Sequence, residues 1–380
     1  MDSIPQPIWI TTNSDLEYYC QFWQAQEFIA LDTEFVRTST FFPKAGLVQV
    51  ADAQDCYLID PLTITDWSAF ADVLDNQHVI KVFHACSEDL EVCHRLTGTV
   101  PSPVADTQLG AALASLGGIM GFQRLVKAVL DLDIDKGETR SDWLQRPLIP
   151  RQIEYAVADV FYLYQCYQLL VDVLSRKGRL TWWYEDCARV LELGKISDDY
   201  SQQYRKVKLA WKLRRHEQYV LQQVAIWREQ TARLWNVPRS QVVADNVMWN
   251  MARYQPEHLG DLARAGMKPH VRQRCGEQAL ALISEAKVAD QALWPDVLQK
   301  PLSPQAGELL KVLKKAVTDR ADSIDIPADM LVKKKTLEAL IRSGYPRGPY
   351  CLPESLAGWR KKEIADELLS CLAQNDASAV

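Results

Sequence analysis

Phe28-Ile29-Ala30-Leu31-Asp32-Thr33-Glu34-Phe35 is the stretch on which the reading of this chain turns. It is apolar, bounded by polar segments and about the usual strand length, so it reads as a buried β-strand. Side chains of a strand alternate between faces, and two carboxylates spaced i, i+2 therefore project side by side from one face. Unpaired like charges held that close are costly, and burial raises the cost. A cation between them removes the problem, and paired oxygen ligands suit a hard divalent ion such as Mg²⁺ or Mn²⁺. For an isolated Asp-x-Glu the ordinary explanation is a strand end whose acids reach solvent, so the rest of the chain must decide.

Working outward, apolar runs recur at Gly46–Asp52 and Cys56–Asp60, close enough to Phe28–Val36 to predict a strand meander. Trp67–Leu74 reads as a helix, Val79–Phe83 as a fourth buried strand, and Ser87–Leu96 as a helix. Pro103–Ala105 predicts a short strand leading into helix Thr107–Leu116, with helix Phe122–Leu130 and an acidic loop after it. Pro150 stands where a proline opens a helix, here a long one to about Ser175. Hairpin strands first and helix-connected strands later imply a mixed α/β sheet. From about Lys206 the strand signals vanish. Lys208–Trp235, Gln241–Ala252 and Val271–Ala286 are helical by period, with proline-containing turns between them. Leu293–Pro304 holds three prolines and reads as a linker to a second helical unit over about Gln305–Gln374. The organisation is an α/β domain over residues 1–200 and two helical domains, 206–290 and 302–376.

At 380 residues two or three domains are expected, and 48% apolar with 24% charged residues is ordinary for a soluble globular protein. The start, Met1-Asp2-Ser3-Ile4-Pro5, lacks the basic and apolar regions of a signal peptide, and no apolar run reaches membrane-spanning length. Nine cysteines without a Cys-x-x-Cys pair suggest neither a disulfide framework nor a zinc site, and fit a reducing cytoplasm. The net charge of −6 conceals an asymmetry: residues 1–200 carry 15 Lys+Arg against 29 Asp+Glu, residues 201–380 carry 28 against 20. A basic half suits a polyanion, while carboxylates in an acidic half suit metal ions.

Two further features bear on Asp32 and Glu34. Tyr155 and Asp159 lie four residues apart on the long helix and share a face, a carboxylate one turn from a phenol able to orient a water. Asp89 falls in the first turn of the helix after Val79–Phe83, where the helix dipole favours an acid regardless of function. Basic residues cluster at Arg205, Lys206, Lys208, Lys212, Arg214 and Arg215, and nine basic against two acidic residues over 205–239 make an RNA-holding face as good an account as a solvated helix surface. Lys127 and Lys136 more readily face solvent than meet phosphate, His84 reads as structural, and Trp143 and Arg146 as residues that pack and cap their loop.

An Asp-x-Glu on a first strand, an Asp at a later strand-to-helix junction and Tyr-x-x-x-Asp on a late helix resemble the three exonuclease motifs of the DEDD superfamily, in its DEDDy branch. Phe83-His84-Ala85-Cys86-Ser87-Glu88-Asp89-Leu90 and Ser141-Asp142-Trp143-Leu144-Gln145-Arg146-Pro147-Leu148 are similar to the ribonuclease D family. Trp227-Arg228-Glu229, Ala232-Arg233, Asn236-Val237-Pro238-Arg239 and Asp245 resemble an HRDC domain, a nucleic-acid-binding module; residues 302–376 fit a degenerate second one. One departure is Ala85, where many members have Asn four residues before the second-motif Asp.

The resemblance implies an RNase H-like exonuclease domain with two HRDC-type helical domains behind it, and hydrolytic removal of nucleoside 5′-monophosphates from RNA 3′ ends, with 3′-extended precursor tRNA as substrate. It implies two divalent ions, Mg²⁺ or Mn²⁺, with Asp32 between them, Glu34 and Asp159 on the water-activating one, Asp89 on the second, and Tyr155 holding the attacking water. A phenol that normally titrates near 10 is a poor base, so the metal lowers the water's pKa. A monomer in the cytoplasm is expected, without a membrane partner. Metal chemistry alone allows a DNA 3′-exonuclease, and an inert exonuclease-like domain with HRDC binding is a third option that the filled motif positions disfavour. A helicase, another setting for HRDC domains, is disfavoured by the lack of a Gly-x-x-x-x-Gly-Lys-Ser/Thr loop. Residues 206–380 are expected to serve RNA binding far more than the metal site.

Overall fold

The computed structural model describes residues 4–134, 137–138, 141–194 and 198–377. They divide by packing into two units. Of the described residues, one unit holds those within 4–36, 44–194 and 302–377, and the other those within 37–43 and 198–301. No helix among the described residues is long and apolar enough to cross a membrane.

The first unit is built on a six-stranded sheet of β1 (Ile8–Ile10), β2 (Phe28–Val36), β3 (Lys44–Ala51), β4 (Cys56–Ile59), β5 (Ile80–Phe83) and β6 (Val104–Asp106), in the order β1-β4-β3-β2-β5-β6. The expected meander is present: β2, β3 and β4 pair antiparallel. β1 joins β4, β5 joins β2 and β6 joins β5, all in parallel. The mixed α/β sheet of the sequence reading is therefore the observed one. Two elements ahead of Phe28, β1 and helix α1 (Asn13–Trp23), lie outside the sequence reading; a three-residue strand is too short to show a period.

The alternation of β2 divides the core in two. Ile29 and Leu31 pack with Val48, Val50 and Phe83 against α1, α2 (Ser68–Asp75) and α3 (Ser87–Thr97). Ala30 packs on the opposite face with Leu47, Leu58, Val82 and Ala105. That face is covered by α4 (Thr107–Leu113), α5 (Phe122–Leu130) and the 27-residue α6 (Pro150–Arg176), whose Ala156, Val157, Val160 and Leu163 are buried at helical spacing. Pro150 opens α6 as expected. The predicted Thr107–Leu116 helix stops at Leu113, and Ser115 just beyond has φ +66°.

α7 (Leu180–Leu193) is a helix the sequence reading does not contain, and it explains where the C-terminal segment goes. Residues 302–377 form α13 (Pro304–Ser323), α14 (Ala328–Leu331), α15 (Lys334–Gly344) and α16 (Asp366–Ala377), numbered after the five helices of the second unit. Their Leu313, Leu331, Leu340, Ile341 and Leu368 belong to the same hydrophobic core as Val157 and Trp183. Trp359 stacks on Trp182 of α7 with ring centroids 4.4 Å apart. The Arg360 guanidinium makes a two-pronged pair with buried Asp186 and also donates to the carbonyls of Met330 and Leu331. Residues 302–376, expected as a second helical domain of their own, share the hydrophobic core of the first unit and pack against α7.

The second unit is helical, with α8 (Arg215–Trp235), α9 (Arg239–Val242), α10 (Asp245–Tyr254), α11 (Leu259–Ala265) and α12 (Pro269–Val288). Val224, Met248, Met251, Leu262 and Val271 centre its core. The predicted helix from Lys208 begins only at Arg215, because 203–206 and 210–212 form short 3₁₀ turns instead. Gln241–Ala252 is split between α9 and α10, and α12 is kinked at Cys275. Residues 37–43 belong here: Phe41 lies against the guanidinium groups of Arg233 and Arg239, and Asn236 accepts from the N–H groups of Phe41 and Phe42.

Breaking a buried ion pair from one side leaves an uncompensated charge, a loss of roughly 3–5 kcal/mol. Arg360→Ala is therefore expected to lower the denaturant midpoint of the first unit, read from tryptophan fluorescence; an unchanged midpoint would contradict the shared core.

Candidate active site

The parity of β2 builds the site. Asp32 and Glu34 continue the series of Ala30 and so lie on the face covered by α6, while Thr33 continues Ile29 and Leu31 toward α3. β5 pairs β2 only across Phe28–Ala30, so the stretch carrying the two acids runs past the end of its parallel neighbour. Acids at the carboxyl end of a parallel pair occupy the usual location of sites in α/β sheets. A register shift between Glu34 and Phe35 ends the regular ladder to β3.

α6 brings Asp159 to this place. One carboxylate oxygen each from Asp32, Glu34 and Asp159 lie within 4.8 Å of one another. Tyr155, one turn earlier, donates its hydroxyl to the Asp159 carboxylate. The Tyr155 ring is confined: Trp143 is 6.2 Å away centroid to centroid, and a Cβ on Gly137 would fall 1.8 Å from the ring. Only glycine fits there. Trp143 is itself fully buried, and its backbone approaches Gly46 so closely that a Cβ at 46 would meet it at 2.6 Å. Arg146 makes a two-pronged pair with Asp60 at 2.6 Å and donates to the carbonyls of Gly46 and Trp143. Trp143 and Arg146 therefore pack and pin their loop, as the sequence suggested, and through it the tyrosine.

Asp89 arrives from the other face, in the first turn of α3 and almost fully buried. Its partner is Thr33, whose hydroxyl donates to it at 2.6 Å. The middle residue of Asp-x-Glu thus ties the two halves of the site, a role the sequence reading missed although the strand parity pointed to it. Asp89 is close enough to act on Asp32 and Glu34 electrostatically.

Burial is the main influence on all four carboxyls. It raises Asp32 well above the ordinary range, with Asp89, Asp159 and Glu34 adding repulsion. Burial, then Asp159 and Asp89, push Glu34 to about 9. Asp89 and Asp159 rise to about 7, each moderated by its hydroxyl donor, Thr33 or Tyr155. Tyr155 is raised further from neutrality by burial and by the same acids, so it stays a phenol that donates. A cluster of oxygen donors that resists its own charge fits hard divalent ions, the role expected of Asp32, Glu34, Asp89 and Asp159.

Other expected residues stand apart. His84 is held between the Thr107 hydroxyl and the Met120 carbonyl, both at 3.0 Å, consistent with a structural role. Lys127 is engaged with Asp131 and Asp133; Lys136 lies outside the described residues. Arg205, Lys206, Lys208, Lys212, Arg214 and Arg215 are all exposed in the second unit. They do not share one helix face, since only Arg215 is in α8, and Arg215 donates to the carbonyls of Trp294 and Pro295. Lys206 lines a cavity of about 990 Å³ together with Arg37, Thr38, Arg239 and Ser240.

Residues 7–175 match a 3′-5′ exonuclease family and residues 217–283 the HRDC domain family. The chain is 45% identical to the ribonuclease D of Pseudomonas paraeruginosa, over 97% of this chain and 98% of that one. To the ribonuclease D of Escherichia coli it is 35% identical over 96% and 98% of the two chains. The crystal structure of Escherichia coli RNase D, described as an exoribonuclease involved in structured RNA processing, superposes with a TM-score of 0.90 at 34% identity, covering 97% of this chain and 99% of that one.

Raised carboxyl pKa values have a signed consequence for stability. The folded protein keeps protons up to pH about 7 on Asp89 and Asp159 that the unfolded chain has lost by about pH 4, so stability falls as pH rises through that window. In chelator, Glu34→Gln is expected to melt higher than the native protein by about 1 kcal/mol equivalent at pH 8, with a smaller gap at pH 5, and to gain less from added Mn²⁺. A Glu34→Gln protein that melts lower at pH 8, or gains as much from Mn²⁺ as the native one, would refute the repulsion account.

Proposed function

The chain belongs to the ribonuclease D family of 3′-5′ exoribonucleases, and on that premise we propose that Asp32, Glu34, Asp89, Tyr155 and Asp159 carry the reaction. The observation that supports this most is the convergence of Asp32, Glu34 and Asp159 within 4.8 Å, with Asp89 joined through Thr33. Asp32, Glu34 and Asp159 would hold one divalent ion, and Asp32 with Asp89 a second, Mg²⁺ or Mn²⁺. Bound there, two such ions lower the pKa of a water, stabilise charge on the phosphoryl oxygens and assist the leaving 3′-oxygen.

The residues of the chain then have separate tasks. Tyr155, confined by Gly137 and Trp143, presents its hydroxyl at a fixed place and orients the attacking water by hydrogen bond. Its raised pKa keeps it a neutral phenol, whose oxygen can hold the water while its O–H points to Asp159, rather than a base that takes the water's proton. The product is a nucleoside 5′-monophosphate and an RNA shortened by one residue at its 3′ end.

We assign RNA holding to the second unit. Its match to the HRDC family over residues 217–283 and the exposed Arg205, Lys206, Lys208, Lys212 and Arg214 support that assignment. Arg215 is the weakest member of the set because its guanidinium already ties down the segment at 294–295. Interactions of this kind give affinity and salt sensitivity with little sequence readout. The substrate we favour is precursor tRNA with a 3′ extension, a folded RNA with a single-stranded tail, processed in the cytoplasm by a monomer. The Escherichia coli relative's part in structured RNA processing supports it.

Asp32→Asn is expected to lower kcat on 3′-extended tRNA at least a thousandfold, about 4 kcal/mol of transition-state stabilisation. RNA affinity should stay within a few-fold, and full cleavage by this variant would remove Asp32 from the site. Replacing Lys206, Lys208 and Lys212 by Ala should weaken RNA binding and make the slope of log K against log salt shallower by about 0.7 for each phosphate no longer neutralised. An unchanged salt slope would place the RNA elsewhere.

A further inference from the structure

Asp89 reaches the site only because the chain turns sharply between β5 and α3, and that turn runs through an unfavourable backbone. Ala85 has φ +62°, the left-handed region that L-residues with a Cβ rarely adopt. Its side chain is exposed, so no packing of the methyl group compensates. Strain that persists in a structure needs surroundings that impose it.

Here the restraint is one carboxylate. Asp106, at the end of β6, accepts from the N–H of Ala85 at 2.9 Å and from the N–H of Cys86 at 3.2 Å. It also accepts from the N–H of Gln108 at 2.9 Å as the N-cap of α4. A buried carboxyl group that accepts three backbone hydrogen bonds is a firm anchor. Cys86 is the residue just ahead of α3, three positions before Asp89. Asp106 therefore grips the start of the helix that carries the second-motif carboxylate.

The anchor is itself secured from α7. Trp183 donates its indole N–H to the Asp106 carbonyl at 2.8 Å, and the Asp106 N–H donates to the Cys187 sulfur at 3.2 Å. Trp183 and Cys187 are fully buried, and a Cβ on Gly110 would meet the Trp183 ring at 2.7 Å. Asp186, beside Cys187, is the residue paired with Arg360. Continuous packing and hydrogen bonding thus run from the C-terminal helices through α7 to Asp106 and on to the turn before Asp89.

We propose that Asp106 is a positioning residue for the nuclease reaction: its carboxylate holds the left-handed turn at Ala85–Cys86 and so sets Asp89 in place for the second divalent ion. This rests on the assignment of Asp89 as a metal-holding residue in the preceding section. Asp106 touches neither substrate nor ion. Its contribution is transmitted through the backbone, as with other groups that orient ligands from behind, whose loss typically lowers metal affinity or activity 10–100-fold.

The test measures Mn²⁺ binding to the full chain by calorimetry and, separately, kcat and KM on a 3′-extended RNA. Four variants serve: Asp106→Asn, Ala85→Val, Ala85→Gly, and Asp106→Asn combined with Ala85→Gly. Asp106→Asn is expected to weaken one Mn²⁺ site about tenfold or more and to lower kcat by a similar factor, with KM for RNA unchanged. Ala85→Val disfavours the left-handed turn without touching the anchor, on an exposed side chain that does not threaten folding, and should reproduce that loss. Ala85→Gly should bind Mn²⁺ as the native protein does. In the double variant glycine adopts the turn freely, so Mn²⁺ affinity and kcat should recover most of the loss. Native-like Mn²⁺ binding in both Asp106→Asn and Ala85→Val would overturn the proposal, as would failure of Ala85→Gly to rescue a folded Asp106→Asn protein. Asp89→Asn separates the two levels: if it leaves both Mn²⁺ sites intact, the metal assignment fails rather than the role of Asp106.

Discussion

Desolvation of four clustered carboxyls, with repulsion added on Asp32 and Glu34, is the constraint around which the first unit is arranged. Burial raises all four, Asp32, Glu34, Asp89 and Asp159, and the neighbouring acids add repulsion on Asp32 and Glu34, so the fold holds together a group of acids that would separate in an unconstrained chain. Each is fixed by a different element. Strand parity aims Asp32 and Glu34, a 27-residue helix delivers Asp159, and the turn after β5 delivers Asp89. Two hydroxyls, from Thr33 and Tyr155, supply the nearby relief that the protein itself offers. The stability given up in this way is what makes the cluster a good host for cations.

The supports around the acids are mostly apolar or structural polar groups, and they follow from that constraint. The loop before α6 is pinned to the sheet by Arg146 on Asp60 and by the close approach of Trp143 to Gly46. Gly137 and Trp143 leave the Tyr155 ring no room to turn away. On the other face, Asp106 and α7 back the start of α3. The C-terminal helices reach this network through Arg360 and Asp186, and 302–377, with 12 Lys+Arg against 11 Asp+Glu, shares the hydrophobic core of the acidic unit.

The second unit shows a different use of charge. Its fully buried Glu229 gathers Arg233 and Arg239, and the same two guanidinium groups flank Phe41. Several cations that composition alone would count toward RNA binding are therefore engaged in holding the unit together. Arg205, Lys206, Lys208, Lys212 and Arg214, by contrast, are exposed. The charge asymmetry between the halves of the chain cannot separate these two populations.

The carboxylates were legible because their spacing is local: i, i+2 on a strand and i, i+4 on a helix put groups on one face whatever the rest of the fold does. The meander, the long helix opened by Pro150 and the mixed sheet were legible from period and punctuation for the same reason. Thr33, Gly137 and Asp106 were not, because what they do depends on partners 56, 18 and 21 residues away that only folding brings near. The three-residue β1 escaped because so short a segment shows no period; α7 was missed although its apolar period is no weaker than that of α6. The sequence by itself thus marked the clustered acids and the phenol as candidates and fixed the local geometry of each motif. Tertiary structure alone decided how the motifs meet, which residues restrain them, and that the last 76 described residues, 302–377, are built into the catalytic unit, since burial and long-range hydrogen bonds do not exist until the sheet has closed under its helices.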